Sequence, residues 1–336
     1  MPEGLIPDFD RDQPIVLGDK LKKGNDGAFW PEGYLEEIKG LKIHPHTINA
    51  FMCWNEIEAA HEVMYGNSDG GEMEIFREVR SDCKNLLDVG AMHGFFSFLF
   101  TYGRPENKCL AVDPSSPAIG YLNYNIKINK MEDQIIVEEK ALSNKVGKLK
   151  MTDDPQWKHD HVRHAGVTDE GIDLWKGDGT PRDYKCITGD ELCKEHNFIP
   201  DFIKIDVEGH EVKVLEGCRG LIEKHKPTIL CEIHAGTGFL AVEKGELNVF
   251  RQILEPLDYD MIYASGGPFG WNKTFGGEYL SKSWEGFNHG DKMPWYSLNL
   301  IQQQMETRYW HLYNLTKEKY VSHDTLSDMR ILFKPR

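Results

Sequence analysis

From Asn85 onward the chain alternates short, mostly apolar runs with longer stretches whose apolar positions recur every three or four residues. A mostly apolar run of four to six residues fits a strand buried on both faces, and the longer repeat fits a helix with one covered side. Asn85–Val89, Cys109–Val112, Gln134–Val137, Phe202–Ile205, Thr228–Ile233 and Tyr259–Tyr263 therefore read as strands. His93–Thr101, Pro117–Asn129, Val212–Leu221 and Leu247–Leu254 read as the helices between them, the second through Ile119, Leu122 and Ile126. Met329–Phe333 supplies a last, antiparallel strand. Alternation of this kind requires right-handed crossovers, which line the strands up in parallel and cover both faces with helices. The expected fold is α/β, a doubly wound, mostly parallel seven-stranded sheet.

The flanks follow other patterns. Residues 1–35 are rich in Pro, Gly and Asp without a sustained period and read as an irregular arm packed on the core. Helical spacing runs from Thr47 to Met64, Asn67–Gly71 is a loop signal, and Glu72–Val79 is a short amphipathic helix leading inward. This divides the chain into an N-terminal extension, 1–80, a core, 81–264, and C-terminal elements, 265–336. Residues 265–295 hold Gly266-Gly267-Pro268-Phe269-Gly270-Trp271, Gly276-Gly277 and Trp284 to Trp295. That is too long for a connector and reads either as a lid or substrate surface, or as a surface loop pinned by its own aromatics. Leu298 to about Tyr320 has helical character.

Composition narrows the function. With 39 basic and 54 acidic residues the formal charge is −15, which disfavours general nucleic-acid binding, and no Lys/Arg run offers a local exception or a membrane-surface patch. No stretch reaches the roughly 18–20 apolar residues of a membrane span, and Met1–Pro14 lacks the layout of a signal peptide. Seven scattered cysteines form no C-x-x-C pair and fit a reducing compartment, so the expected location is cytoplasmic.

Three segments carry chemistry. In Leu86-Leu87-Asp88-Val89-Gly90-Ala91-Met92-His93-Gly94 a buried strand ends in a turn with glycines four apart, followed by a helix. Such a turn lets backbone approach a ligand at the place where doubly wound sheets bind nucleotides. Dinucleotide sites use G-x-G-x-x-G; here the middle glycine is missing and an acid precedes the turn, which suits a ligand with an ammonium group, although a purely structural strand–helix turn has the same look. Second, Asp113 ends the next strand about twenty residues on, where an acid accepts bonds from both ribose hydroxyls of an adenosine. Third, Asp201-Phe202-Ile203-Lys204-Ile205-Asp206-Val207-Glu208-Gly209-His210-Glu211 delivers Asp206, Glu208 and His210 beyond the fourth strand, and the fifth ends in Glu232-Ile233-His234. Glu208 and His210 would alternatively open a helix, where the dipole favours a carboxylate.

Together these segments resemble the FkbM family of methyltransferases, which pairs a D-V-G-A-x-x-G turn with a later I-K-I-D-V-E-G string and an E-I-H-like fifth strand. The likeness runs from about Asn85 to His234 and takes in Asn125, Asn129, Ala141-Leu142 and Asp190-Glu191. The chain departs from the family at Met92-His93, and in having Asp113-Pro114 where Glu-Pro is usual. The resemblance implies a Rossmann-like class I methyltransferase fold, S-adenosylmethionine as donor, and O-methylation of a sugar, glycan or other small hydroxylated molecule. It implies a cofactor set of Asp88, Gly90, Ala91, Met92, His93, Gly94, Asp113, Ala141 and Asp206.

Transfer to an alcohol is an in-line displacement that needs alignment and a base. His234, with an ordinary pKa near 6.5, is the first choice and Asp206 the second; Glu208, Glu232 and His210 complete the candidate set. Asp206, Glu208, Glu232 and His234 would also suit Mg²⁺, a minor alternative. His159, His161 and His164 form a His-x-His-x-x-His run read as exposed loop histidines before a metal site. Two other classes share the fold: a nicotinamide-dependent oxidoreductase, and a binding module for the methyl donor without catalysis.

Overall fold

The computed structural model describes residues 13–17, 36–47, 71–152, 166–168, 182–207, 209–233, 247–266, 290–298 and 329–336. All but the first residue of the expected helix over 47–64, the helix after Leu298, most of the aromatic segment 265–295 and the histidine run 159–164 lie outside them.

The centre is an eight-stranded sheet. Its strands are β3 (Asn85–Val89), β4 (Lys108–Val112), β5 (Ile135–Glu138), β10 (Phe202–Ile205), β11 (Thr228–Ile233), β12 (Tyr259–Gly266), β13 (Lys292–Met293) and β14 (Met329–Pro335). Across the sheet the order is β13, β12, β14, β11, β10, β3, β4, β5. Strands β5, β4, β3, β10 and β11 are mutually parallel, and β14 runs antiparallel between β11 and β12. The chain winds outward from β3 through β4 to β5, then returns to lay β10 against the other side of β3. That reversal is the topological switch point of an open α/β sheet, beside which ligands bind at the carboxyl ends of the strands. The sheet has one strand more than expected because Lys292–Met293 pairs with β12.

The helices are α1 (Gly71–Asp82), α2 (Phe95–Thr101), α3 (Ser116–Asn129), α4 (Gly189–Glu195), α5 (Glu211–Gly217), α6 (Arg219–His225) and α7 (Asn248–Leu254). The period of two along each strand splits the sheet into two faces. Leu87, Val89, Ile203, Ile205, Ile229 and Cys231 pack with residues of α4 to α7. Leu86, Cys109, Ala111, Phe202 and Leu230 pack with α1, α2 and α3. Asp88, Lys204 and Glu232 belong to this second face by register, and all three are buried.

Two local differences from expectation have clear causes. The segment read as one helix, Val212–Leu221, breaks at Cys218 into α5 and α6. Asp190 in α4 caps the second helix, its carboxylate accepting from the backbone N–H of Gly220 at 2.9 Å and Leu221 at 2.7 Å. The stretch between β5 and β10 is more than a polar excursion. It folds into a second sheet of β6 (Ala141–Leu142), β7 (Gly147–Thr152), β8 (Gly166–Thr168) and β9 (Arg182–Ile187), in the order β6, β9, β7, β8. Leu149 and Met151 are buried on one side of β7 while Lys148 and Lys150 face solvent.

The N-terminal arm is held on the core as a two-stranded ribbon, β1 (Ile15–Val16) with β2 (Lys42–Ile43). Leu17, Ile38, Leu41 and Ile43 are buried in the α1–α3 layer. Two asparagines of α3 grip the arm: the N–H of His44 donates to Asn125 Oδ1 at 2.7 Å, and that of Lys42 to Asn129 Oδ1 at 2.9 Å. All six described cysteines are buried, and none is joined in a disulfide. Among the described residues no helix is long and apolar enough to cross a membrane.

Candidate active site

The loops after β3, β4 and β10 meet at Gly90. Its backbone φ is +83°, a conformation glycine adopts without steric cost. A β-carbon there would stand 1.7 Å from the carbonyl oxygen of Asp206. The N–H groups of Gly90 and Ala91 both donate to the Val112 carbonyl, at 2.9 and 3.1 Å, and the Asp206 N–H donates to the Val89 carbonyl at 3.0 Å. The turn then closes on itself: Gly94, at φ +88°, donates to the Ala91 carbonyl at 2.7 Å and begins α2. This left-handed glycine is why α2 starts at Phe95 and not at His93. A β-carbon on Gly94 would lie 2.3 Å from a methyl of Leu122, so the second glycine serves helix packing.

Asp113, just beyond β4, holds the turn from the other side. Its carboxylate accepts from the N–H of Met92 at 3.0 Å and of Ser115 at 2.8 Å while keeping part of its surface open. Burial pushes its pKa up to about 6, against the pull of those two amide donors. Gly90, Asp113 and Asp206 thus converge at one crevice. Ala91 and His93 are buried in the turn, the His93 ring set edge-on to Tyr121 at 5.6 Å, and Met92 is half-buried.

Other expected site residues have different surroundings. Asp88 lies under the turn, buried, with Ser97 Oγ donating to its carboxylate at 2.6 Å. Burial drives its pKa upward while nearby Lys204 draws it down. Glu232 is buried and ion-paired with Arg330 of β14, its direct partner in the strand register. His210 caps α5 from a buried position, its Nε2 3.0 Å from Ser143 Oγ. Ala141 belongs to a small apolar cluster of the second sheet with Leu149, Met151 and Cys186. Glu208 and His234 lie outside the described residues. Among those described, no group of three or more metal-binding side chains comes together.

Lys204 went unnoticed in the sequence. It is almost wholly buried; its Nζ donates to Asp206 Oδ2 at 3.0 Å and lies 4.2 Å from the centre of the Phe96 ring. The signal was present: a strand buried on both faces, Phe-Ile-Lys-Ile, cannot carry a lysine without an anion beside it.

A family profile described as the methyltransferase FkbM domain matches residues 88–261, just over half of the chain. The chain belongs to the FkbM methyltransferase family. FkbM membership carries S-adenosylmethionine with it, and the partly open carboxylate of Asp113 at the end of β4 is a group that would suit its ribose hydroxyls. No curated protein matches the chain. Among solved structures, the FkbM methyltransferase of Methylobacillus flagellatus KT is 18% identical, with a TM-score of 0.36 over 54% of this chain and 39% of that one. This FkbM chain therefore spans well under half the length of that relative. The precorrin-6y C5,15-methyltransferase of Geobacter metallireducens GS-15 is 10% identical, with a TM-score of 0.33 over 79% of this chain and 89% of that one. An O-methyltransferase of Bacillus cereus, solved in complex with SAH, is 12% identical, with a TM-score of 0.32 over 64% and 91%.

Proposed function

We propose that this FkbM protein uses S-adenosylmethionine to methylate a hydroxyl oxygen of a sugar, a glycan or another small hydroxylated metabolite. The observation that carries the reading is the meeting of Gly90, Asp113 and Asp206 at the switch point of the sheet. Asp113 would accept both ribose hydroxyls, for which its free surface and charged form above pH 6 are suited. The turn from Gly90 to Gly94 would lie against the amino-acid end of the donor. When bound, S-adenosylmethionine supplies an activated methyl group on a sulfonium.

The chain must then hold the acceptor oxygen in line and take its proton. His234, one residue beyond the end of β11, is the first candidate to receive that proton on its ring. Asp206 is the second, either as proton acceptor or as the group that fixes the acceptor hydroxyl. Glu232, already committed to Arg330, and His210, committed to Ser143, fit supporting roles better than proton transfer. Glu208 stays in the candidate set beside Asp206.

The test uses purified protein and methyl-labelled donor, with free hexoses, sugar nucleotides and simple alcohols as acceptors, and amines and thiols as controls. Label appearing in an ether is the expected result. Label confined to the amines or thiols would overturn the oxygen direction, and the absence of any heat on titration with S-adenosylhomocysteine would overturn the cofactor assignment. His234→Ala is expected to cut turnover and leave cofactor affinity nearly intact.

A further inference from the structure

Lys204 lies on β10, one of the three strands whose ends meet at the crevice, yet no step of the proposed chemistry uses it. Its side chain is 2% exposed. An ammonium so far from water is held only where nearby anions and a π-face replace its hydration. Those partners come from three elements. Asp206 follows it on the same strand end at 3.0 Å, Asp88 is its register partner on β3, and Phe96 of α2 lies across its charge. Of the two carboxylates, Asp88 is fully enclosed and tied to Ser97, whereas Asp206 retains 20% of its side-chain surface at the rim. Among the described residues, the strand geometry therefore joins a buried cation to the more exposed of two neighbouring acids.

We propose that Lys204 is a positioning residue for Asp206, holding its carboxylate charged and turned along the crevice rim for the bound cofactor and acceptor. The proposal rests on the reading of this crevice as the S-adenosylmethionine site. Other titratable groups that sense Asp206 are Asp88 on β3, Asp113 beyond β4 and Cys231 on β11, with the Glu232–Arg330 pair one register step away. Asp113 gives every form of the protein an acid limb near pH 6, so the diagnostic quantity is the displacement between variants.

The experiment is calorimetric titration with S-adenosylhomocysteine from pH 5 to pH 9 on wild type, Lys204→Met, Asp206→Asn and the double variant. Loss of an opposite charge at this range raises a carboxyl pKa by about one to three units, so Lys204→Met should approach wild-type affinity at pH 9 and fall progressively further below it as pH drops toward 5. In the Asp206→Asn background the same lysine substitution should move nothing. A Lys204→Met profile lying below wild type by the same factor at every pH would show a packing role and overturn the proposal. Wild-type binding by Asp206→Asn would instead remove Asp206 from the site and so overturn the underlying reading. If Lys204→Met does not fold, urea denaturation of the double variant decides. Pairing predicts that removing both charges restores stability, and a double variant no more stable than Lys204→Met alone contradicts it.

Discussion

The carbonyl oxygen of Asp206 occupies the space where a β-carbon of Gly90 would stand, 1.7 Å from its ideal position. Two neighbouring strands therefore touch backbone to backbone at the switch point. Gly90→Ala must push a carbonyl aside and also hold a positive φ. Loss of at least about 2 kcal/mol is expected, together with loss of S-adenosylhomocysteine binding. Urea denaturation and calorimetry measure the two effects, and wild-type stability would mean that the loops do not meet here.

Asp113 predicts a pH dependence. Its carboxyl titrates near 6 in the folded chain, above its ordinary 3.8, so the native state binds that proton more tightly than the unfolded chain does. This group consequently opposes folding above pH 6, and its penalty fades as pH falls from 6 toward 4. Ribose hydroxyls donating to it favour the charged form. Binding of S-adenosylhomocysteine near pH 6 should release protons, seen as a dependence of the binding heat on buffer ionisation enthalpy. Asp113→Ala should abolish that release and weaken affinity; unchanged release would place the ribose elsewhere.

Glu232 and Arg330 form a buried pair with side chains 5% and 13% exposed. Arg330→Met leaves a carboxylate enclosed without its counter-charge, expected to cost about 3–5 kcal/mol. Pairing Arg330→Met with Glu232→Gln should recover most of that loss. Denaturant midpoints of the two single variants and the double decide it. If the three losses simply add, the residues are not coupled.

Asn125 joins the arm to α3, accepting from the His44 N–H and donating to Thr47 Oγ1 at 3.3 Å. Asn125→Ala should cost about 1–3 kcal/mol by removing an acceptor from a buried amide. Hydrogen exchange should quicken across residues 41–47 and stay slow at Leu87 in β3. Equal acceleration in both places would mean that the arm does not detach separately from the core.

How much was legible depended on whether the signal was local. Asn85–Val89, Phe202–Ile205 and Thr228–Ile233 were read to the residue, because a strand buried on both faces writes a short, mostly apolar run into the sequence. The break at Cys218 was not, since its cause is the carboxylate of Asp190, some thirty residues earlier. The alternation in Gly147–Thr152 was visible but short, and its partner β9 lies thirty residues beyond. Within the site, the glycine turn and Asp113 were marked by spacing. Glu232 and His210 looked like free catalytic groups because Arg330 and Ser143, which engage them, are distant in the chain.

The order of strands and helices, the glycine turn and the acid that follows it were determined by the sequence alone, because each expresses a repeat or a backbone need within one short segment. Only the tertiary structure decided which charges face one another. Burial and strand register bring Lys204 between Asp88 and Asp206 and commit Glu232 to Arg330. Those relations arise from residues brought together across the sheet, and linear spacing holds no record of them.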